Sequence, residues 1–194
     1  PRRGWIYYNF FSNVAWRYNL NNNVKLINKN FDKQESIRNC QECYYNKEYG
    51  FVGNLKNHIS NLFRKYHYFE HYHQAQPFLK SIWAEATAAC KDEVGMTISQ
   101  RFRDKSGITA YLFRYWHLVS GKFVPYYEND FMIQNLQNLE NIQKISDTLL
   151  RNKYRFVCLN DESFAMSDDD FVKGKEIIGQ TLDRILPSKS SYEK

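Results

Sequence analysis

Between Phe131 and Leu150 the apolar residues Ile133, Leu136, Leu139, Ile142, Ile145 and Leu149 fall at steps of three and four, which predicts one amphipathic helix across the stretch. A second helical pattern opens at Pro77, a residue suited to a first turn. Leu79, Ile82, Trp83, Ala86 and Ala89 then share a face up to Cys90, and Gly95 is expected to mark the break. Ile108 to Val119 is strongly apolar and predicts a helix closed by Gly121. Leu55, Ile59, Leu62 and Phe63 predict a short helix within 54–66. A last helix is expected to be capped by Ser167 or Asp168, with Asp169 and Asp170 in its positive first turn. Phe171, Ile178, Leu182 and Ile185 are its expected inner face, and Pro187 stops it.

Other stretches carry strand or turn chemistry. Tyr154-Arg155-Phe156-Val157-Cys158-Leu159 predicts a buried strand that ends at Asn160-Asp161, and Trp5 to Phe11 is rich in strand-favouring aromatics. Asn21-Asn22-Asn23 and Asp104 to Gly107 read as turns, Lys122 to Tyr127 as a short extended piece, and residues 28–49 as a surface loop or irregular layer. Together these predict an α/β fold, mainly helical with a few strands, and no internal repeat.

Composition narrows this. Hydrophobic residues at 43% can bury a core, which excludes a disordered tail. An excess of 27 Lys and Arg over 21 Asp and Glu gives a net charge of +6 and hence attraction to anions, but no run of five like charges forms a nucleic-acid arm. No apolar stretch approaches the roughly 18 residues of a spanning helix, because Arg114 and His117 interrupt Ala110 to Val119. With no secretory segment at its start, the chain is expected in the cytosol with its four cysteines reduced. It starts at Pro1, and reads as part of a longer protein.

Candidate chemistry concentrates between His73 and Arg103. An imidazole that trades protons near neutral pH precedes a helix start, and two guanidiniums suited to phosphate follow the helix. In an extended segment Arg101 and Arg103 would point the same way, opposite Phe102, as a diphosphate clamp; a solvated basic turn paired with Asp104 is the plainer reading. Asn160, Asp161 and Glu162 at a strand end suit a hard cation or a sugar hydroxyl, and equally an ordinary turn. His67, His71 and His73 with Cys40-x-x-Cys43 have the ligand types of a zinc site, but a single C-x-x-C is weak support.

The combination is similar to one family. His73-x-x-x-Pro77-x-x-Lys80, then Arg101-Phe102-Arg103, then the Tyr-Leu-Phe-x-Tyr-Trp-x-Leu-x-Ser-Gly-Lys-x-Val-Pro run ending at Pro125 resembles the third conserved region of the Stealth sugar-phosphate transferases. Tyr154 to Asp161 and the closing Ile185 to Glu193 resemble the fourth. The family includes bacterial capsule polymerases and the lysosomal-enzyme N-acetylglucosamine-1-phosphotransferase.

The resemblance implies transfer of a sugar-1-phosphate from a UDP-sugar to an acceptor hydroxyl of a glycan, with release of UMP. It implies His73 as catalytic base and Arg103 as phosphate ligand, with Arg101 as the alternative. Asp161 is implied in catalysis, and Lys80 and Asn160 in substrate binding. A divalent metal, Mg2+ or Mn2+, is implied as cofactor. Residues 1–69 correspond to a variable spacer, and 70–194 to the C-terminal part of a larger glycosyltransferase-like catalytic domain. The partners implied are the missing N-terminal half, the UDP-sugar and glycan substrates, and the inner-membrane capsule machinery, with which the protein would associate peripherally; no nucleic acid is expected. Two departures stand out. The family's first two regions, with their acidic metal corner, are absent from these 194 residues, and Gly107 stands where the pattern usually has Asp. The rival readings are a basic, aromatic binding module for glycan or single-stranded nucleic acid, and a zinc-stabilised interaction domain.

Overall fold

The computed structural model describes residues 15–69, 76–125, 131–160 and 166–192. Two compact units emerge: of the described residues, 15–69 and 76–125 form the first, and 131–160 and 166–192 the second. Within the first lie α1 (Ala15–Asn30), α2 (Lys33–Asn39), α3 (Gln41–Tyr44), a 3-10 turn (Lys47–Tyr49), α4 (Gly50–Asn61), α5 (Lys80–Ala89), α6 (Lys91–Ser99) and α7 (Tyr111–Val119). The second holds β1 (Phe131–Asn135), α8 (Leu139–Leu150), β2 (Phe156–Asn160) and α9 (Asp168–Ile185). The mixed, mainly helical class agrees with the periodicity.

The first core forms around α7, whose Leu112, Tyr115, Trp116 and Val119 are buried against Leu26 and Ile27 of α1 and Ile82 and Ala86 of α5. Trp83 stacks on Phe113 at 3.6 Å between ring centroids. The Trp116 indole N–H donates to Glu85 at 2.9 Å. Gly121 closes α7 with φ of +64°, as expected of a C-terminal glycine. His117, on the buried face of α7, ties two distant strands of chain. Its Nε2 accepts from the Leu79 N–H at 3.2 Å, so Nδ1 carries the proton and donates to the Lys122 carbonyl, also at 3.2 Å.

Several expected elements differ. Asn21 to Asn23 lie inside α1, where tertiary partners replace the turn that these residues favour in isolation. Residues 28–49 are largely helical: α2 is capped by Asp32, whose carboxylate accepts from the Glu35 N–H at 2.9 Å. The break expected at Gly95 falls at Cys90, which ends α5 and begins α6. Gly95 lies within α6, whose first turn carries Asp92 and Glu93. Cys40 and Cys43 form a disulfide, contrary to the expectation of reduced thiols; Cys90 and Cys158 are free. Without thiolates, the pair with neighbouring Glu42 is no metal site, and His71 and His73 lie outside the described residues.

In the second unit the 20-residue helix pattern divides. Phe131 to Asn135 is a strand that pairs in parallel with β2, Phe131 opposite Phe156 and Asn135 opposite Asn160. Helix α8 starts only where the Asn138 side chain caps it, accepting from Asn141 N–H at 2.8 Å. The two-stranded sheet leaves Phe156 and Val157 about two-fifths exposed, so β2 is less buried than its composition predicts. Ser167 caps α9 as expected. The inner face of α9 is rotated from the expected one: Gly174 and Thr181 are buried with Ile178 and Ile185 packed on the core, whereas Phe171 and Leu182 face out. Close approach explains this, since a Cβ on Gly174 would meet Ile142 at 2.7 Å and the Ser146 and Thr181 hydroxyls bond at 2.6 Å.

Among the described residues no helix is long and apolar enough to cross a membrane, and residues 5–11 of the expected opening strand lie outside them. The buried phenols set the response to base. Burial pushes the Tyr44, Tyr66 and Tyr115 hydroxyls above the ordinary 10.0, so their contribution to stability is complete below pH 10 and lost as pH rises through the higher folded values. Buried Lys33 runs the other way, its pKa lowered from 10.5 by desolvation. Unfolding titrations are expected to show stability falling above pH 10, with phenolate absorbance appearing together with loss of tertiary structure. Hyperchromism well before unfolding would contradict this.

Candidate active site

Helix α1 presents Asn19, Asn22 and Asn23 at the i, i+3, i+4 spacing of a single face. The Asn19 amide donates to the Gly107 carbonyl at 2.9 Å and also to that of Asp104. Asn22 donates to the Lys105 and Gly107 carbonyls, each at 2.9 Å. Asn23 donates to the Thr109 hydroxyl at 2.8 Å and accepts from the Thr109 N–H at 3.1 Å. Asn19 and Asn23 are fully buried. From the other side Thr97 of α6 accepts the Ile108 N–H at 3.0 Å, and Gln100 donates to Ser106 at 3.1 Å. The loop after α6 is thus held at both flanks, and it is the loop that carries Arg101, Arg103 and Lys105.

The Arg103 guanidinium lies 5.0 Å from the centre of the Trp16 ring, and Lys105 lies 4.9 Å from that of Tyr18. Arg101 lies 5.2 Å from the Phe102 ring, so Phe102 supports Arg101 instead of packing on the opposite side. The expected parallel pair therefore becomes two guanidiniums on separate aromatic platforms. Asp104, expected to neutralise them, instead accepts from the Ser106 hydroxyl at 2.6 Å and its N–H at 2.8 Å; these bonds hold its carboxyl below the ordinary carboxylate range. Among the described residues neither guanidinium has a carboxylate partner. Both are exposed. This leaves an immobilised loop with outward-facing cations, which suits an oxyanion ligand. Gly107 fits because a Cβ there would stand 3.1 Å from the Gln100 side-chain oxygen and 3.4 Å from the Asp104 carbonyl.

Lys80 is exposed as the first residue of α5, and no described hydrogen bond or ion pair joins it to the arginines. In the second unit Asn160 ends β2, and its amide donates to the Asn135 side chain at the end of β1 at 3.1 Å. His73 and Asp161 lie outside the described residues. The described strand ends do not match a divalent cation by themselves: they offer two neutral amides bonded to each other, and hard cations are held mainly by carboxylates. A cleft of about 310 Å3 elsewhere in the first unit is lined by Asp32 and Glu35 with Ser36 and Asn39, a charge that disfavours phosphate.

The asparagine face was not recognised from sequence, although its spacing was visible. Asn23→Ala leaves the Thr109 N–H and hydroxyl without their partner, so a loss of about 1–3 kcal/mol in denaturant unfolding is expected. Faster amide exchange at 104–109 should accompany it; unchanged exchange would remove the ladder's anchoring role.

Residues 147–194, which contain β2, α9 and the closing segment, match the family model described as Stealth protein CR4, conserved region 4. This C-terminal stretch therefore matches a conserved region of the Stealth family. The chain is 28% identical over 173 residues to the exopolysaccharide phosphotransferase cps2G of Lactiplantibacillus plantarum, and 30% identical over 173 residues to the capsular polysaccharide phosphotransferase WcwK of Streptococcus pneumoniae. It is also 27% identical over 180 residues to the receptor polysaccharide phosphotransferase WefC of Streptococcus oralis. Each alignment covers 89% of this chain, and the chain spans about half the length of these curated relatives. No solved structure matches.

Proposed function

We propose that the complete polypeptide transfers a sugar-1-phosphate from a UDP-sugar to a glycan hydroxyl in capsular polysaccharide synthesis. The observation that carries this reading is the Arg101 to Lys105 loop, which buried amides immobilise and in which neither Arg101 nor Arg103 has a carboxylate partner among the described residues. Phosphoryl transfer asks little covalent chemistry of the protein and much positioning and charge stabilisation, which such a loop suits. The polysaccharide phosphotransferase names of the relatives agree.

In the proposed reaction the acceptor oxygen attacks the phosphorus bearing the sugar, and the bond from that phosphorus to the UMP oxygen breaks. The hydroxyl proton passes to His73. Arg103, with Arg101 as the alternative, takes the charge gathering on the phosphoryl oxygens. Lys80 and Asn160 contribute to substrate binding, and Asp161 joins the polar corner after β2. The divalent metal belongs to the proposal for the whole enzyme, and no step is assigned to it.

The test is product identity. The full-length protein, incubated with divalent metal, candidate UDP-sugars and capsule oligosaccharides, is expected to release UMP and to leave a phosphodiester in the glycan. Release of UDP marks an ordinary glycosyltransferase and refutes the proposal.

A further inference from the structure

Helix α4 is amphipathic the wrong way round for a core helix. Its amide face turns inward: Asn54 donates to the Asn46 carbonyl at 2.7 Å and Asn57 to that of Tyr44 at 2.8 Å, and Asn61 donates to the Tyr45 hydroxyl at 2.9 Å. The buried Lys33 ammonium donates to the Ser60 carbonyl near the helix end. These bonds fix the rotation of the helix about its axis. The opposite face, which carries Phe51, Leu55, Ile59 and Leu62 at steps of four, four and three with Val52 and Phe63 beside them, therefore points outward. Phe51 is 82% exposed, Leu62 73% and Val52 64%. Single exposed apolar residues are ordinary, whereas four on one face of α4, continued by Leu62 and Phe63 just past its end, form a contiguous patch that calls for an occupant.

Charge identifies that occupant. Lys56 lies at one margin of the apolar stripe on the helical projection, and Lys47 and Arg64-Lys65 stand at the two ends of α4. Against these four basic residues the stretch from Lys47 to Phe69 has one acidic residue, Glu48. A second copy would bring two such cationic faces together and is disfavoured. Aliphatic Val52, Leu55, Ile59 and Leu62 at the centre suit acyl chains rather than stacked bases. We infer that α4 is an in-plane anchor for an anionic lipid surface, its apolar stripe entering the acyl boundary and its lysines and arginine meeting lipid phosphates. At 12 residues, or about 18 Å at 1.5 Å per residue, it lies on a bilayer and does not span it. This inference does not depend on the reaction proposed above.

The test uses the full-length protein with phosphatidylglycerol-containing vesicles and with pure phosphatidylcholine vesicles. Co-sedimentation is expected with the first and much less with the second. Phe51→Asp with Leu62→Asp, both at exposed positions, should weaken binding by about tenfold or more, since each removes apolar area and adds a repelled charge. Lys56→Glu with Lys65→Glu should abolish the preference for anionic vesicles. A Phe51→Trp variant should be quenched by brominated acyl chains. Equal binding of wild type and the aspartate variant overturns the inference, as does absence of quenching. A dimer in light scattering that the aspartate variant dissociates overturns it in favour of self-association.

Discussion

Arg103→Ala in the full-length protein is expected to lower kcat/KM of the proposed transfer by about 10²–10³, the typical loss when one group aimed at developing charge is removed. The main effect should fall on kcat, because the guanidinium is proposed to meet oxygens that gain charge in the transition state. Arg103→Lys should recover only part, since an ammonium keeps the charge but lacks the two-pronged donor set and the planar contact with Trp16. Fold and stability should be nearly unchanged, because the side chain is exposed on a loop held by other residues. Steady-state kinetics with a fixed UDP-sugar, alongside circular dichroism, decides the matter: full activity in the alanine variant removes Arg103 from the site.

The largest effect on stability is expected at Trp116. The residue is 2% exposed, meets Phe31 edge-on at 4.8 Å between ring centroids, and satisfies its indole N–H on Glu85. Trp116→Ala should cost about 3–5 kcal/mol from lost contacts and the remaining cavity. At roughly 2–4 °C per kcal/mol for a chain of this size, the corresponding fall in Tm is about 6–20 °C. Trp116→Phe should lose distinctly less, since the ring is retained and only the hydrogen bond and part of the volume go. A melting temperature unchanged in the alanine variant would show that α7 does not organise the core of the first unit.

Much of this could be read in the chain where local chemistry and tertiary environment agree. Gly121 closes α7 because a left-handed residue is needed there, and Ser167 caps α9 because its hydroxyl reaches the Asp170 N–H. The readings that differ share one cause. Asparagines 21 to 23 favour turns in isolation, yet Asn22 and Asn23 spend their amides on a loop more than 80 residues away, and the helix persists. Phe131 to Asn135 fits a helical period, yet pairing with β2 makes it a strand. Leu55 and Ile59 fit a helix face, yet the bonds of their neighbours Asn54 and Asn57 turn that face outward. At the site, the arginines were visible as chemistry, while their platforms on Trp16 and Phe102 were not. Sequence distance hides Trp16, and bends at Arg101 and Phe102 defeat the alternation of an extended segment.

The clasp between α1 and the arginine loop also bears on how the chain can be divided. The Asn19 amide reaches across 88 residues to Gly107. A shortened chain beginning at residue 70 would keep Arg101 and Arg103 but leave behind Trp16 and all three asparagines. The carbonyls of Lys105 and Gly107 would then face water in place of amides, and the loop would sample many shapes before meeting a ligand. Such a piece could retain its composition and most of its helices while losing the preorganised loop that an anionic substrate would meet. Any dissection of this protein for binding studies therefore has to begin upstream of Trp16.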